Sequence, residues 1–165
     1  MIDIGDIKLF VFDFDGVLTN NKVITSSSGE ELVVCSRSDG VAFDALRALN
    51  KKTIILSTET NPVVDARARK LKVRSILGCE DKAHELGKIL SQENILPNEV
   101  MYVGNDINDY KAMSRCGFSA CPADSHDYIK EISTVVLESK GGEGVVRELI
   151  ENVLKINLLG VLYQL

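Results

Sequence analysis

Two aspartates close an apolar run near the start of the chain: Ile7-Lys8-Leu9-Phe10-Val11-Phe12-Asp13-Phe14-Asp15-Gly16. An unpaired charge taken out of water costs several kcal/mol, so a buried strand gains nothing by ending in two carboxylates. Side chains alternate along a strand, which turns Asp13 and Asp15 the same way. Like charges that close need a cation between them or a shared proton. Two readings follow. One is a Mg²⁺ site at the carboxyl end of a strand, with one aspartate as nucleophile. The other is an Asp-Gly turn after a hydrophobic strand.

Other reactive residue types recur at similar places. Ser57-Thr58-Glu59 follows an apolar run, Glu80-Asp81-Lys82 precedes a helical pattern, and Gly104-Asn105-Asp106-Ile107-Asn108-Asp109 follows another apolar run. A nucleophile, a metal site, a hydroxyl, a lysine and further acids are the parts of a phosphoryl-transfer site.

Those parts meet only if the elements carrying them form one sheet. Strands are expected at 7–14, 53–57, 74–77, 99–103, 118–121 and 134–137. Helices are expected at 39–50 with Ser38 as N-cap, from Asn61-Pro62 to about Lys72, at 82–94, from the 104–109 loop through Met113, at 126–131 and at 143–155. Residues 17–37 read as a hairpin about Ser26-Ser27-Ser28-Gly29. The β-α alternation implies an α/β fold, a doubly wound parallel sheet with helices on both faces. Reactive groups in such folds gather beyond the carboxyl ends of the strands.

With 165 residues, 45% of them hydrophobic, the chain is expected to form one domain, 1–165. A net charge of −5 and no basic run argue against nucleic acid or an anionic membrane as main partner. No apolar stretch approaches membrane-helix length and no secretory signal precedes the first strand. Cys35, Cys79, Cys116 and Cys121 form no CxxC pair, which suits reduced thiols in a cytoplasmic protein. His84 and His126 read as surface or helix-cap residues.

In order along the chain, the run from Phe12 to Thr19, Ser57, Lys82 and Gly104–Asp109 resemble the four motifs of the haloacid dehalogenase superfamily. Ser36-Arg37-Ser38-Asp39-Gly40 and Lys140-Gly141-Gly142-Glu143-Gly144 are similar to its cap-less branch of 3-deoxy-2-ulosonate sugar-acid phosphatases. That branch includes octulosonate 8-phosphate and nonulosonate 9-phosphate phosphatases. The resemblance implies a Rossmann-like core, a hairpin flap and no cap domain. It implies Asp13 as nucleophile forming an aspartyl-phosphate, and Asp15 as general acid and base. Ser57 would hold a phosphoryl oxygen and Lys82 would neutralise the phosphate. Gly16, Thr58, Glu59, Arg67 and Lys70 would face substrate. Mg²⁺ would be held by Asp13, the backbone carbonyl of Asp15 and the Asn105-Asp106 pair, with Asp109 orienting a metal water or Lys82.

Two departures qualify this. The fourth motif often reads Gly-Asp-Asp, whereas this chain has Asn105 at the first acid; either its amide oxygen ligates or Asp106 shifts in. Octulosonate phosphatases tend to read Thr-Gly-Arg where this chain reads Ser57-Thr58-Glu59, closer to the nonulosonate branch. Arg67 and Lys70, at i and i+3, suit a substrate carboxylate, or form a solvated basic face with Arg69 and Lys72. The branch implies a homotetramer in which neighbours cover each site. The 141–144 loop and the apolar tail 156–165 reach a neighbour or pack on their own subunit. The expected activity is Mg²⁺-dependent hydrolysis of a nonulosonate 9-phosphate ahead of an octulosonate 8-phosphate. The alternative is a non-catalytic module associated with a sialic-acid-type cytidylyltransferase.

Overall fold

A computed structural model describes residues 2–165. The strands are β1 (Leu9–Phe12), β2 (Thr19–Thr25), β3 (Glu31–Cys35), β4 (Lys52–Leu56), β5 (Arg74–Ile76), β6 (Val100–Val103), β7 (Phe118–Cys121) and β8 (Val135–Val136). The helices are α1 (Ser38–Ala48), α2 (Pro62–Leu71), α3 (Lys82–Glu93), α4 (Tyr110–Met113), α5 (Asp127–Ile132), α6 (Val145–Glu148) and α7 (Leu158–Tyr163). Six strands form one parallel sheet in the order β5-β4-β1-β6-β7-β8. From β1 the chain builds outward through β4 and β5, then returns to place β6 on the other side. A crevice opens at such a reversal, beyond the carboxyl ends of β1 and β6.

Every residue of β1 and β6 is buried, because helices cover both faces. Phe10 and Phe12 join the core shared with α1, α2 and α6. Leu9 and Val11 join the core shared with α3, α4 and α5. Phe12 meets Phe43 of α1 edge-on at 5.1 Å between ring centroids. β2 and β3 form the expected hairpin as a separate two-stranded sheet. Val23, Ile24, Leu32 and Val34 on it are exposed.

Asn61 caps α2 as its sequence indicates, accepting the Val63 N–H at 3.0 Å, and His126 Nδ1 accepts the Tyr128 N–H at the start of α5. Ser38 does not cap α1. It lies inside the helix, and its hydroxyl pairs with that of Ser36 at 2.6 Å. The helix expected over 143–155 begins at Val145 and passes into a π-helical turn over Leu149–Val153, which a 3.6-residue period does not reveal. The tail packs on its own subunit: α7 lies on α1, with Leu158 buried and Ile156, Val161 and Leu162 against the core. The glycine loop also stays at home. The Gly142 N–H bonds the Val17 carbonyl at 3.0 Å, and a Cβ on Gly141 would lie 2.3 Å from the Gly16 carbonyl oxygen.

Asp39 of α1 holds α6 in place. Its Oδ1 accepts the N–H groups of Val146 at 3.0 Å and Arg147 at 3.1 Å, while its Oδ2 is buried without a partner. Loss of water raises its pKa to about 6, against the pull of those N–H groups and of Arg67. The folded chain therefore keeps a proton on Asp39 more readily than the unfolded chain. Its contribution to stability is full below about pH 4 and is lost as pH rises through about 6, by roughly 3 kcal/mol. Asp39→Asn keeps the acceptor but cannot ionise. In urea melts it should gain roughly 2–3 kcal/mol on wild type between pH 4 and pH 7. A difference that stays flat over that range would mean that Asp39 titrates as in the unfolded chain.

Candidate active site

The polar clusters converge at the carboxyl ends of β1 and β6. Asp13 continues the β1 ladder, its N–H bonding the Val103 carbonyl at 2.9 Å. Lys82 is the first residue of α3 and is only 2% exposed. Its Nζ lies between Asp13 Oδ1 at 2.8 Å and Asp109 Oδ1 at 2.7 Å. Asp109 has no exposed surface and is fully engaged. Its Oδ1 also accepts the Tyr102 hydroxyl at 2.9 Å, and its Oδ2 accepts the Asn105 N–H at 3.0 Å. Of the two tasks expected of Asp109, orienting Lys82 is the one these bonds describe.

Burial alone would lower the Lys82 pKa, but the charges of Asp13 and Asp109 outweigh it and hold the ammonium above its ordinary value. Asp13 is pushed well up by burial and by the Asp109 charge, against the pull of Lys82. Asp15 is raised by burial and by the Glu59 charge, again against Lys82. One lysine does not neutralise this group of acids.

Asp13, Asp15, Asn21, Thr58, Asn105 and Asp106 line a cavity of about 290 Å³. Asn105 is 8% exposed, and its Oδ1 is buried with no hydrogen-bond partner among the described residues. A Cβ on Gly16 would lie 1.9 Å from Asn105 Nδ2, and Gly16 has φ +79°. Gly16 is thus a floor on which the Asn105 amide rests. Among the described residues no three His, Cys, Asp or Glu side chains converge as a metal cage. The oxygens on this cavity are instead the carboxylates of Asp13, Asp15 and Asp106 and the orphaned Asn105 amide oxygen, a set that fits a hard cation such as Mg²⁺. Asp106 is exposed at the rim, and its Oδ1 accepts the Ile107 N–H at 2.7 Å.

Other expected residues are less central. Ser57 is buried, and its Oγ accepts the Glu59 N–H at 3.1 Å. Glu59 Oε1 accepts the N–H groups of Thr60 at 2.7 Å and Asn61 at 2.9 Å, so one of its oxygens serves the loop itself. Arg67 and Lys70 do not line the Asp13 cavity. They line a separate hollow with Arg37 and Asp44, where Arg67 Nη2 donates to the Ser36 carbonyl at 2.7 Å. α2 packs against β3, and Arg67 reaches the end of the hairpin at Ser36. Tyr102 was not among the expected residues. Its signal was a lone tyrosine in a buried strand, whose hydroxyl needs a partner.

The structure of a chain assigned to the HAD hydrolase family, from Streptomyces avermitilis, matches with a TM-score of 0.89 and 38% identity, over 92% of this chain and 93% of that one. This chain belongs to the haloacid dehalogenase-like hydrolases. Residues 79–149 also match the sequence pattern of that family. The structure of 3-deoxy-D-manno-octulosonate 8-phosphate phosphatase from Moraxella catarrhalis, in complex with magnesium ion, phosphate ion and KDO, matches this hydrolase with a TM-score of 0.88 and 30% identity, over 92% and 88% of the two chains. N-acylneuraminate cytidylyltransferase A of Danio rerio is 32% identical over 90% of this hydrolase, which spans 35% of that longer protein.

Tyr102→Phe tests the buried network. It removes one donor from Asp109 Oδ1 and leaves the ring packing intact. Unfolding free energy should fall by about 1–3 kcal/mol. A variant as stable as wild type would mean that the phenol contributes packing alone.

Proposed function

We propose that this hydrolase is a Mg²⁺-dependent phosphatase of 3-deoxy-2-ulosonic sugar-acid phosphates. The observation that carries the reading is Lys82, buried between Asp13 and Asp109, with Asp13 in turn lining a cavity shared with Asp15 and the orphaned Asn105 amide. The Moraxella catarrhalis structure, with its magnesium ion, phosphate ion and KDO, supports the same ligand class here.

In this reading Asp13 attacks phosphorus and becomes an aspartyl-phosphate, its carboxylate oriented at Oδ1 by Lys82 and by the Phe14 N–H at 2.7 Å. Asp15 gives its proton to the departing sugar oxygen, and its raised pKa favours carrying that proton. It then takes a proton from the water that cleaves the acyl-phosphate and releases inorganic phosphate. Lys82 neutralises the incoming phosphate, and the Ser57 hydroxyl steadies a phosphoryl oxygen. Asp13, the Asp15 backbone carbonyl and Asn105 would hold Mg²⁺, which would shield the approach of one anion to another.

The finer substrate reading is a nonulosonate 9-phosphate ahead of an octulosonate 8-phosphate. It rests on Glu59 in place of an arginine, with Oε2 left for a sugar hydroxyl. The cavity, about 290 Å³, is at the small end of ligand pockets, which run ~300–1,000 Å³. It suits the phosphate and the nearest carbons, and a neighbouring copy would complete the rest. We propose a homotetramer, with the exposed Val23, Ile24, Leu32 and Val34 of the hairpin as its apolar surface. The Arg67 and Lys70 face would then reach a neighbour's substrate carboxylate. The second reading, a non-catalytic module working with a cytidylyltransferase, draws on the Danio rerio relative.

A panel of nonulosonate 9-phosphate, octulosonate 8-phosphate and hexose phosphates, with Mg²⁺ and then EDTA, decides between them. The sugar-acid esters should be hydrolysed fastest, with activity lost in EDTA and restored by Mg²⁺. Asp13→Asn should lower kcat at least a thousandfold, about 4 kcal/mol, without loss of fold. No turnover of any ester by the wild type would leave the module reading standing.

Asn105→Asp tests the third ligand. A charged oxygen in place of the amide should tighten Mg²⁺ binding by about tenfold, ~1.4 kcal/mol, in calorimetry. Unchanged affinity would move the ligand role to Asp106.

A further inference from the structure

The hairpin does not leave the site as a regular strand. Pairing of β2 with β3 slips between Thr19 and Val23, and Asn21 within the slip has φ 60°. A side chain in that left-handed region is strained, and asparagine bears it better than most residues. Bulges beside clefts re-aim the chain. This one brings Asn21 to the wall of the cavity that holds Asp13 and Asp15.

The bulge is tied to the acid loop. Thr19 Oγ1 accepts the N–H groups of both Gly16 and Asn21, each at 3.2 Å. The Asn21 backbone is thus anchored to the turn that carries Asp15. Among the described residues, no hydrogen bond uses the Asn21 side-chain amide, whereas the Asn20 amide next to it is occupied by the Lys22 N–H at 3.2 Å. An asparagine amide offers two donors and one acceptor. At this wall, beside the acid assigned to the leaving oxygen, the chemistry it matches is a hydroxyl-bearing leaving group.

We propose that Asn21 is a specificity-determining residue whose amide hydrogen-bonds hydroxyls of the substrate next to the phosphoester. It selects phosphate esters of polyols over plain esters. This assignment rests on the phosphatase reading above.

Asn21→Gly removes the amide and keeps a backbone at ease with positive φ. Asn21→Asp keeps the shape but loses both donors and adds a charge facing an anionic substrate. The test compares kcat/KM for a sugar-acid phosphate and for phenyl phosphate. The sugar-acid ester used is the nonulosonate 9-phosphate or the octulosonate 8-phosphate, whichever the wild type hydrolyses faster. In Asn21→Gly the ratio of the two kcat/KM values should fall about three- to tenfold. The fall should come mainly from a higher KM for the sugar-acid ester. In Asn21→Asp it should fall at least as far. A wild type that hydrolyses the sugar-acid ester, with an unchanged ratio in both variants, overturns the assignment and leaves the phosphatase reading standing. A wild type that hydrolyses neither ester overturns both.

Discussion

The site depends on one buried cation shared by two buried carboxylates. Lys82 reaches Asp13 and Asp109 at nearly equal distance, with almost no water around any of the three. Removing one partner from such a group leaves an uncompensated charge, at a cost of several kcal/mol. The rest of the local structure limits that exposure. The Tyr102 hydroxyl and the Asn105 N–H also bond Asp109, which holds Lys82 in place. Burial first, and the neighbouring acid charges second, raise both Asp13 and Asp15, and the excess of negative charge favours a second cation in the cavity.

Close backbone packing sets the shape of the cavity. Gly16 turns beneath the Asn105 amide, and the Gly141-Gly142 loop presses on the backbone of Gly16, Thr19 and Asn20. Any Cβ at these contacts would force the acid loop and the amide apart. Asp39 fastens the other end of the same region, joining α1 to the start of α6. The glycine run near the chain end therefore acts on the site within its own subunit, through support of the loop bearing Asp15.

The upper part of the molecule has a different character. The hairpin presents apolar side chains outward, and a hollow between α1 and α2 gathers Arg37, Arg67 and Lys70 about Asp44. Arg67 Nε is buried there without a partner. A single copy thus has an acid-rich cavity and, apart from it, a hollow in which Arg37, Arg67 and Lys70 outnumber Asp44.

Much of this was legible in the residue order. An apolar run ending in Asp13, further runs ending at Ser57 and Gly104, and Lys82 opening a helix were enough to place four clusters at one sheet edge. Strand alternation and helix period are local properties, and each strand position was recovered to within a few residues. The Lys82–Asp109 pairing was also foreseeable as one of two alternatives. Tertiary structure decided what period and motif do not encode. Whether Arg67 faces the cavity depends on how α2 packs against the hairpin. Asn21 reaches the cavity because one β-bulge shifts the register. The apolar tail closes on α1 because Leu158 finds a buried niche there. Each outcome turns on contacts between residues far apart in the chain, and sequence spacing constrains such contacts only after the sheet has formed.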